Sequence, residues 1–261
     1  MSSTVTTMTA TTTVLVDSPP SENIPLRPID DVRLSTPRSH RLRQILVILQ
    51  ILAVTLTASV VNGLVIVGLP TITKDLQLPS SLAFWPSSVS SLATASTLLL
   101  AGSIADAVGP RWVELVGAFM SGGLIIGQGL SRSGKELVIM RAFQGVGLAF
   151  HLASSVSIIT QLMPQGRGRN LAFSCLGLSQ PLGFSIGLVI GGVLVDTIGW
   201  RSGWYIAGAI TLLFAIVGVL ALSKNKAHRY ENPVPNLRTK VDWVGAGLAS
   251  AFMALLCYFL A

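Results

Sequence analysis

The feature that most constrains this chain is a recurrence of apolar runs of about 20 residues, each long enough to cross the hydrocarbon core of a bilayer as a helix. The runs read as helices over residues 44–69, 84–105, 112–130, 136–163, 169–195 and 203–222, with one more over 243–261. Polar turns of a few residues join most of them, so neighbours in sequence must reverse direction at a membrane face. Pro70 ends the first run and leaves a short amphipathic stretch at 71–76. Composition agrees with this pattern. With 51% hydrophobic and 11% charged residues and a mean hydropathy of +0.67, the chain is too apolar for an ordinary soluble domain and reads as an all-α integral membrane protein.

Four segments follow. Residues 1–43, rich in Ser, Thr and Pro, read as a disordered cytoplasmic tail, with neither a signal-peptide core nor the early arginines of a transit peptide. Residues 44–222 form a six-helix transmembrane bundle, and 223–242 a charged cytoplasmic linker. Residues 243–261 form a seventh helix whose apolar run is still open at Ala261, so the chain is expected to be truncated there.

Basic residues set the orientation. Thirteen of the 18 Lys and Arg fall in the tail, the 102–111 turn, the 163–169 turn and the linker, against Lys74, Arg132, Lys135 and Arg201 on the other side. The amino terminus is therefore expected to be cytoplasmic. The net charge of +7 is spread between apolar runs rather than gathered on one face, which argues for topology and against a nucleic-acid partner. Cys175 and Cys257 both lie inside apolar runs and are expected to be buried small residues. No nucleophile sits beside a base, and neither a metal-ligand spacing nor a phosphate loop occurs, so an enzyme is not expected, nor is a cofactor or metal.

Three stretches carry candidate function. In the 102–111 turn, Gly102 allows close backbone approach, Asp106 can accept from free amides at a neighbouring helix start, Gly109 permits an unusual backbone angle and Arg111 supplies the cation. In the fourth run, Arg141 is a cation at membrane depth, which costs roughly 2.5 to 3.5 kcal/mol on insertion scales and marks a site candidate. Arg141, Gln144, Leu148, His151 and Ser155 share one helical face as a polar stripe, while the first run offers Asn62, Thr55, Thr57 and Ser59. In the fifth run, Gly183, Gly187, Gly191 and Gly192 make a smooth face on which another helix can pack.

In this order the motifs resemble the major facilitator superfamily. Gly102-x-x-x-Asp106-x-x-Gly109-x-Arg111 is similar to its signature turn between helices two and three, although Ala107 and Pro110 stand where basic residues are usual. Leu137-x-x-x-Arg141-x-x-Gln144-Gly145-x-Gly147 resembles its helix-four motif. The helix-five glycines resemble the antiporter motif, with Leu188 in place of the usual proline and Pro181 earlier. Asp242-Trp243-x-Gly245, the stretch 69–76, and Gly199-Trp-Arg201 with Trp204-Tyr205-Ile206 resemble the 14-helix drug:proton antiporter branch, and the Ser/Thr-rich tail resembles fungal members.

The resemblance implies the amino-terminal six-helix bundle of the major facilitator fold, built of inverted three-helix repeats, plus part of a seventh helix. It implies proton-coupled export of small organic compounds of the drug or secondary-metabolite type, with the lipid bilayer, protons and a small-molecule substrate as partners. Arg141 is expected in proton coupling, and Asn62, Gln144, His151 and Ser155 in the substrate cavity. Gly102, Asp106, Gly109 and Arg111 are expected to gate the cytoplasmic side, and Gly183, Gly187, Gly191 and Gly192 to form a packing seam. The plasma membrane is the implied location, with the vacuolar membrane second. The other reading is a truncated, transport-inactive membrane fragment with at most a regulatory role.

Overall fold

The computed structural model describes residues 38–79, 82–222 and 243–260; most of the expected tail, the expected linker and the Cys257 side chain lie outside the described residues. Seven helices make up the described residues: α1 Arg38–Asp75, α2 Trp85–Val108, α3 Pro110–Leu130, α4 Gly134–Leu162, α5 Arg167–Thr197, α6 Trp200–Ala221 and α7 Trp243–Leu260. The first six are long and apolar enough to cross a membrane. In hydrocarbon every backbone amide must find its partner within the chain, and a helix achieves this residue by residue.

Two boundaries differ from the sequence reading. Residues 38–43, assigned to the tail, form the first turn and a half of α1, where Arg43 Nε donates to Ala221 O at 2.7 Å and holds the start of α1 to the end of α6. Pro70 does not end α1, which continues to Asp75. Proline withholds one helix hydrogen bond, the one that Ile66 O would accept, and the helix runs on past it.

The packing order is α1 on α5 and α6, α2 on α4, and α3 on α4 and α6, with α7 on α2. Exchanging α1 with α4, α2 with α5 and α3 with α6 leaves the main six-helix contacts unchanged. Such a pattern is that of two three-helix repeats related by a pseudo-twofold axis. Glycines make the close contacts. A methyl at Gly187 would run into Val60 O on α1, one at Gly63 of α1 into the α5 backbone at Phe184, and one at Gly145 of α4 into Ser90 O on α2. Small residues are the means by which helices approach when lipid tails are as apolar as the side chains between them.

Around this interior the outer surface is a belt of exposed Leu, Ile, Val and Phe, including Leu171, Leu178, Val189, Val193, Leu213 and Leu220, a surface suited to lipid rather than water. The turns are tight. α2 passes into α3 through Gly109 alone, whose φ of 106° an L side chain resists. At the other end of the bundle Trp200 Nε1 donates to Asp75 Oδ2 at 2.7 Å, and the Arg201 guanidinium donates to Gly129 O and Ser131 O at 2.9 and 2.8 Å, serving the free carbonyls at the end of α3.

Candidate functional site

Arg141 lies in the second turn of α4 and is fully buried. Its guanidinium is divided among three neutral acceptors: Nε donates to Pro86 O of α2 at 2.9 Å, one terminal nitrogen to Asn62 Oδ1 of α1 at 3.0 Å, and the other to Gln144 Oε1 at 3.2 Å. Gln144 Oε1 also accepts from Gln128 Nε2 of α3 at 2.9 Å, and Gln128 Oε1 accepts from Trp204 Nε1 of α6 at 3.0 Å. One cation thereby ties five helices together. Among the described residues no carboxylate lies within ion-pair distance of it.

A second buried cluster lies about 15 Å further along α4, ten residues at 1.5 Å each. His151 Nδ1 is 2.7 Å from Glu114 Oε1 of α3, and both side chains are fully buried. The Glu114 carboxylate also accepts from Gln50 Nε2 of α1 at 3.0 Å and from the Ser154 hydroxyl at 2.8 Å. His151 Nε2 faces the Thr55 hydroxyl of α1 at 2.9 Å. Glu114 and Gln50 escaped the sequence reading. The signal was present, since Glu114 is the sole acid in the run 112–130 and an intramembrane acid is a site candidate by default.

Two cavities open beside α4. The smaller, about 230 Å³, is lined by Thr55, Ser59 and Asn62 of α1, Ser90 and Thr94 of α2, and Leu148 and Leu152 of α4, among others. The larger, about 900 Å³, runs between α2, α4, α5 and α7. Its wall is mostly apolar, with Leu98, Leu99, Val156 and Phe173, and carries Asp106 and Gln180 as polar points. Ala95, Leu152 and Gln180 line both, so the cavities adjoin.

The expected cavity set divides on this geometry. Asn62 lines the smaller cavity, whereas Gln144, His151 and Ser155 are buried against neighbouring helices. Leu148, a member of that face, reaches the smaller cavity together with Leu152, whereas the polar ends of Gln144 and His151 are taken up by partners on α1 and α3 and within α4. Ser155 bonds only its own helix, donating to Leu152 O at 2.8 Å.

The 102–111 turn departs in three particulars. A methyl at Gly102 would touch nothing, so this glycine borders the larger cavity rather than a close helix contact. Asp106 does not cap α3, which has no side-chain cap, and its carboxylate is exposed to the larger cavity. Arg111 belongs to α3 rather than the turn, with its guanidinium 5.6 Å from the Trp112 ring and its Nε buried without an acceptor. On α5, Gly183 and Gly187 press on α1 at Leu56 and Val60, and Gly191 meets Leu64, while Gly192 points into open space. Pro181 leaves α5 unbroken. Cys175 is half-buried and free.

Comparison with known proteins converges on one family. The family model described as Major Facilitator Superfamily matches residues 51–261. The chain is 35% identical over 246 residues to MFS-type transporter 1 of Pyricularia oryzae, a match covering 84% of this chain and 40% of that protein. It is 30% identical over 200 residues to puromycin resistance protein pur8 of Streptomyces alboniger, covering 76% and 39%. To MFS-type transporter ppz2 of Metarhizium majus it is 29% identical over 235 residues, covering 88% and 39%. The chain thus spans about two fifths of the length of these relatives, whose names are those of transporters and a resistance protein rather than enzymes.

Proposed function

The chain belongs to the Major Facilitator Superfamily, as a multi-pass membrane protein, and from that premise we propose that it forms the cavity-bearing bundle of a proton-coupled exporter of small amphipathic organic compounds. The observation that carries this reading is Arg141: a fully buried cation without a carboxylate in reach, bonded to Asn62, which itself lines a cavity. An unbalanced charge at that depth is costly, and its retention beside a cavity favours a role in transport over one in packing. Arginine does not release its proton inside a protein, so Arg141 acts as a fixed charge that sets the potential of the cavity. A substrate or proton that alters the hydrogen bonding of Asn62 alters the surroundings of that charge.

The larger cavity supports the substrate class. At about 900 Å³ it has the size of a site for a drug-sized molecule, and apolar walls with few polar points suit an amphipathic one. The name of the Streptomyces relative, a puromycin resistance protein, favours export of organic compounds. In this reading Asp106 and Arg111 latch the cytoplasmic side, and the α1–α5 glycine contact is the surface on which helices shift. Alternating access needs a second bundle to move against this one, so residues 1–261 by themselves are not expected to drive vectorial transport.

The test uses everted membrane vesicles from cells expressing this bundle together with the second bundle that alternating access requires, with an acidified lumen that holds a pH probe. Addition of a transported amphipathic compound should release protons from the wild type. Arg141→Ala should insert normally and release none. Gradient-driven transport at the wild-type rate in the variant would remove Arg141 from the mechanism. Orientation is tested separately, by labelling single introduced cysteines in intact cells: labelling from outside near Lys135 and none within 223–242 is expected, and the reverse overturns a cytoplasmic amino terminus.

A further inference from the structure

Resting on the proton-coupled reading above, we infer that the Glu114–His151 pair is the group that holds the exchangeable proton, and that the Thr55 hydroxyl is its gate to the smaller cavity. Arg141 cannot serve, because its charge is fixed. His151 can, because its two ring nitrogens have partners whose roles change with its protonation. Nδ1 lies 2.7 Å from Glu114 Oε1; an ionised carboxylate can only accept, so with Glu114 ionised Nδ1 carries the hydrogen. The state of Nε2 depends on Thr55. That hydroxyl lies 2.9 Å from its own Ile51 O and 2.9 Å from Nε2, and it has one hydrogen to give.

Two arrangements follow. With the hydroxyl hydrogen on Ile51 O, Nε2 must donate to Thr55 Oγ, and His151 is an imidazolium paired with the Glu114 carboxylate. With the hydroxyl turned to Nε2, that nitrogen accepts, and the ring is neutral. Both ring nitrogens and the Thr55 hydroxyl have a partner in either state, which is the requirement for a ring that exchanges a proton without being stranded.

The exit is through Thr55, which lines the smaller cavity, while His151 does not. In the release step the His151 Nε2–H bond breaks as a Thr55 Oγ–H bond forms, and the hydrogen that Thr55 already held passes to water in the cavity. One proton leaves and the ring ends neutral, with the hydroxyl donating to it. Asn62 lines the same cavity and binds Arg141, so the proton and the fixed cation meet at one space.

The surroundings leave the pair to itself. From α1 it is faced by Gln50 and Thr55, from α3 by no charge beyond Glu114, and from α4 by Ser154; α6 meets Gln50 at Gly218. Arg111, one turn before Glu114 on α3, makes no ion pair with it and sits over Trp112. Gln50 Oε1 is buried with no donor, and a half-turn of that amide would present it to a protonated Glu114 carboxyl. The cluster therefore has an answer for a proton on either member.

The test is nitrogen NMR of the protein labelled at histidine, purified in lipid nanodiscs, with His151→Gln identifying the His151 ring among the three histidines. Across a pH series the ring should pass from both nitrogens protonated to hydrogen on Nδ1 only. Exchange of its Nε2 hydrogen with water should slow about tenfold in Thr55→Val, through loss of the relaying hydroxyl, and recover in Thr55→Ser. A pair that only staples helices predicts one unchanged ring state, and that result, or unaltered exchange in Thr55→Val with the fold intact, overturns the inference. The vesicle assay keeps the two readings apart. Proton release by vesicles with a static His151 ring defeats the present inference alone, whereas a titrating ring with no proton release by vesicles defeats the coupled-transport reading and leaves the pair as a proton site.

Discussion

The two buried polar clusters on α4 solve opposite problems. Around His151, an imidazole and a carboxylate are placed in contact, and neutral donors from α1 and α4 complete the shell of the carboxylate. Around Arg141, one charge stands without a counter-charge and is spread over a carbonyl and two amide oxygens from three helices. With the ring protonated, net charge is balanced in the first cluster, whereas it is unbalanced in the second. A balanced pair is hard to disrupt by halves, since either member left alone is a buried charge or a buried unmet donor. An unbalanced cation is a standing cost that its removal relieves.

Stability should separate the clusters most sharply. Glu114→Leu leaves His151, Ser154 and Gln50 without their shared acceptor and should cost about 3 kcal/mol in unfolding measured in lipid nanodiscs. Replacing both members, Glu114→Leu with His151→Leu, should recover most of that, because two matched apolar groups replace two matched charges. If the double variant is less stable than the single one, the pair is held by something other than charge balance.

Arg141→Met should cost less, within about 1 kcal/mol of the wild type, since the lost hydrogen bonds are offset by relief of a buried cation worth roughly 2.5 to 3.5 kcal/mol on insertion scales. Transport should nevertheless vanish. Arg141→Lys is the sharper variant: it keeps the charge, but one ammonium on a flexible stem cannot reproduce a planar fork directed at Pro86, Asn62 and Gln144. Loss of coupled transport in Lys as well as Met, with insertion intact, places the requirement on geometry. Wild-type transport in Arg141→Lys places it on charge alone.

The fold was largely legible because hydrocarbon imposes one rule on every residue of a spanning run, and the apolar lengths reveal it. Helix ends were less so: Pro70 looked like a terminus, yet α1 continues through it. In the site, Arg141 was found by its charge at depth, and its bond to Asn62 joins two residues singled out on separate runs. The partners along α4 were not legible. Periodicity gives which residues share a face but not which of them a neighbouring helix covers, and of the face that holds Gln144, Leu148, His151 and Ser155 only Leu148 lines the smaller cavity. Glu114, the sole acid in the run 112–130, was readable by the same criterion as Arg141. Asp106 shows the limit of motif reading, since it lines the larger cavity and α3 has no side-chain cap.

The smallest effect belongs to a hydrogen bond that lies between the clusters and belongs to neither. Thr211 Oγ of α6 donates to Thr57 Oγ of α1 at 3.0 Å, both side chains buried, at a position on α1 between Thr55 and Asn62. Each hydroxyl also has a carbonyl of its own helix within reach, Ala207 O for Thr211 at 2.8 Å and Ala53 O for Thr57 at 2.8 Å, so losing the cross-helix bond strands neither. Thr57→Val keeps the shape and should cost about 0.6 kcal/mol, the average for a hydrogen bond between membrane helices, with the His151 ring signals and proton release unchanged. This variant sets the scale for the others. A loss near 3 kcal/mol at Thr57 would mean that any polar contact at this depth is as costly to remove as the Glu114–His151 pair, and the distinction between a balanced charge pair and ordinary interhelical bonding would collapse.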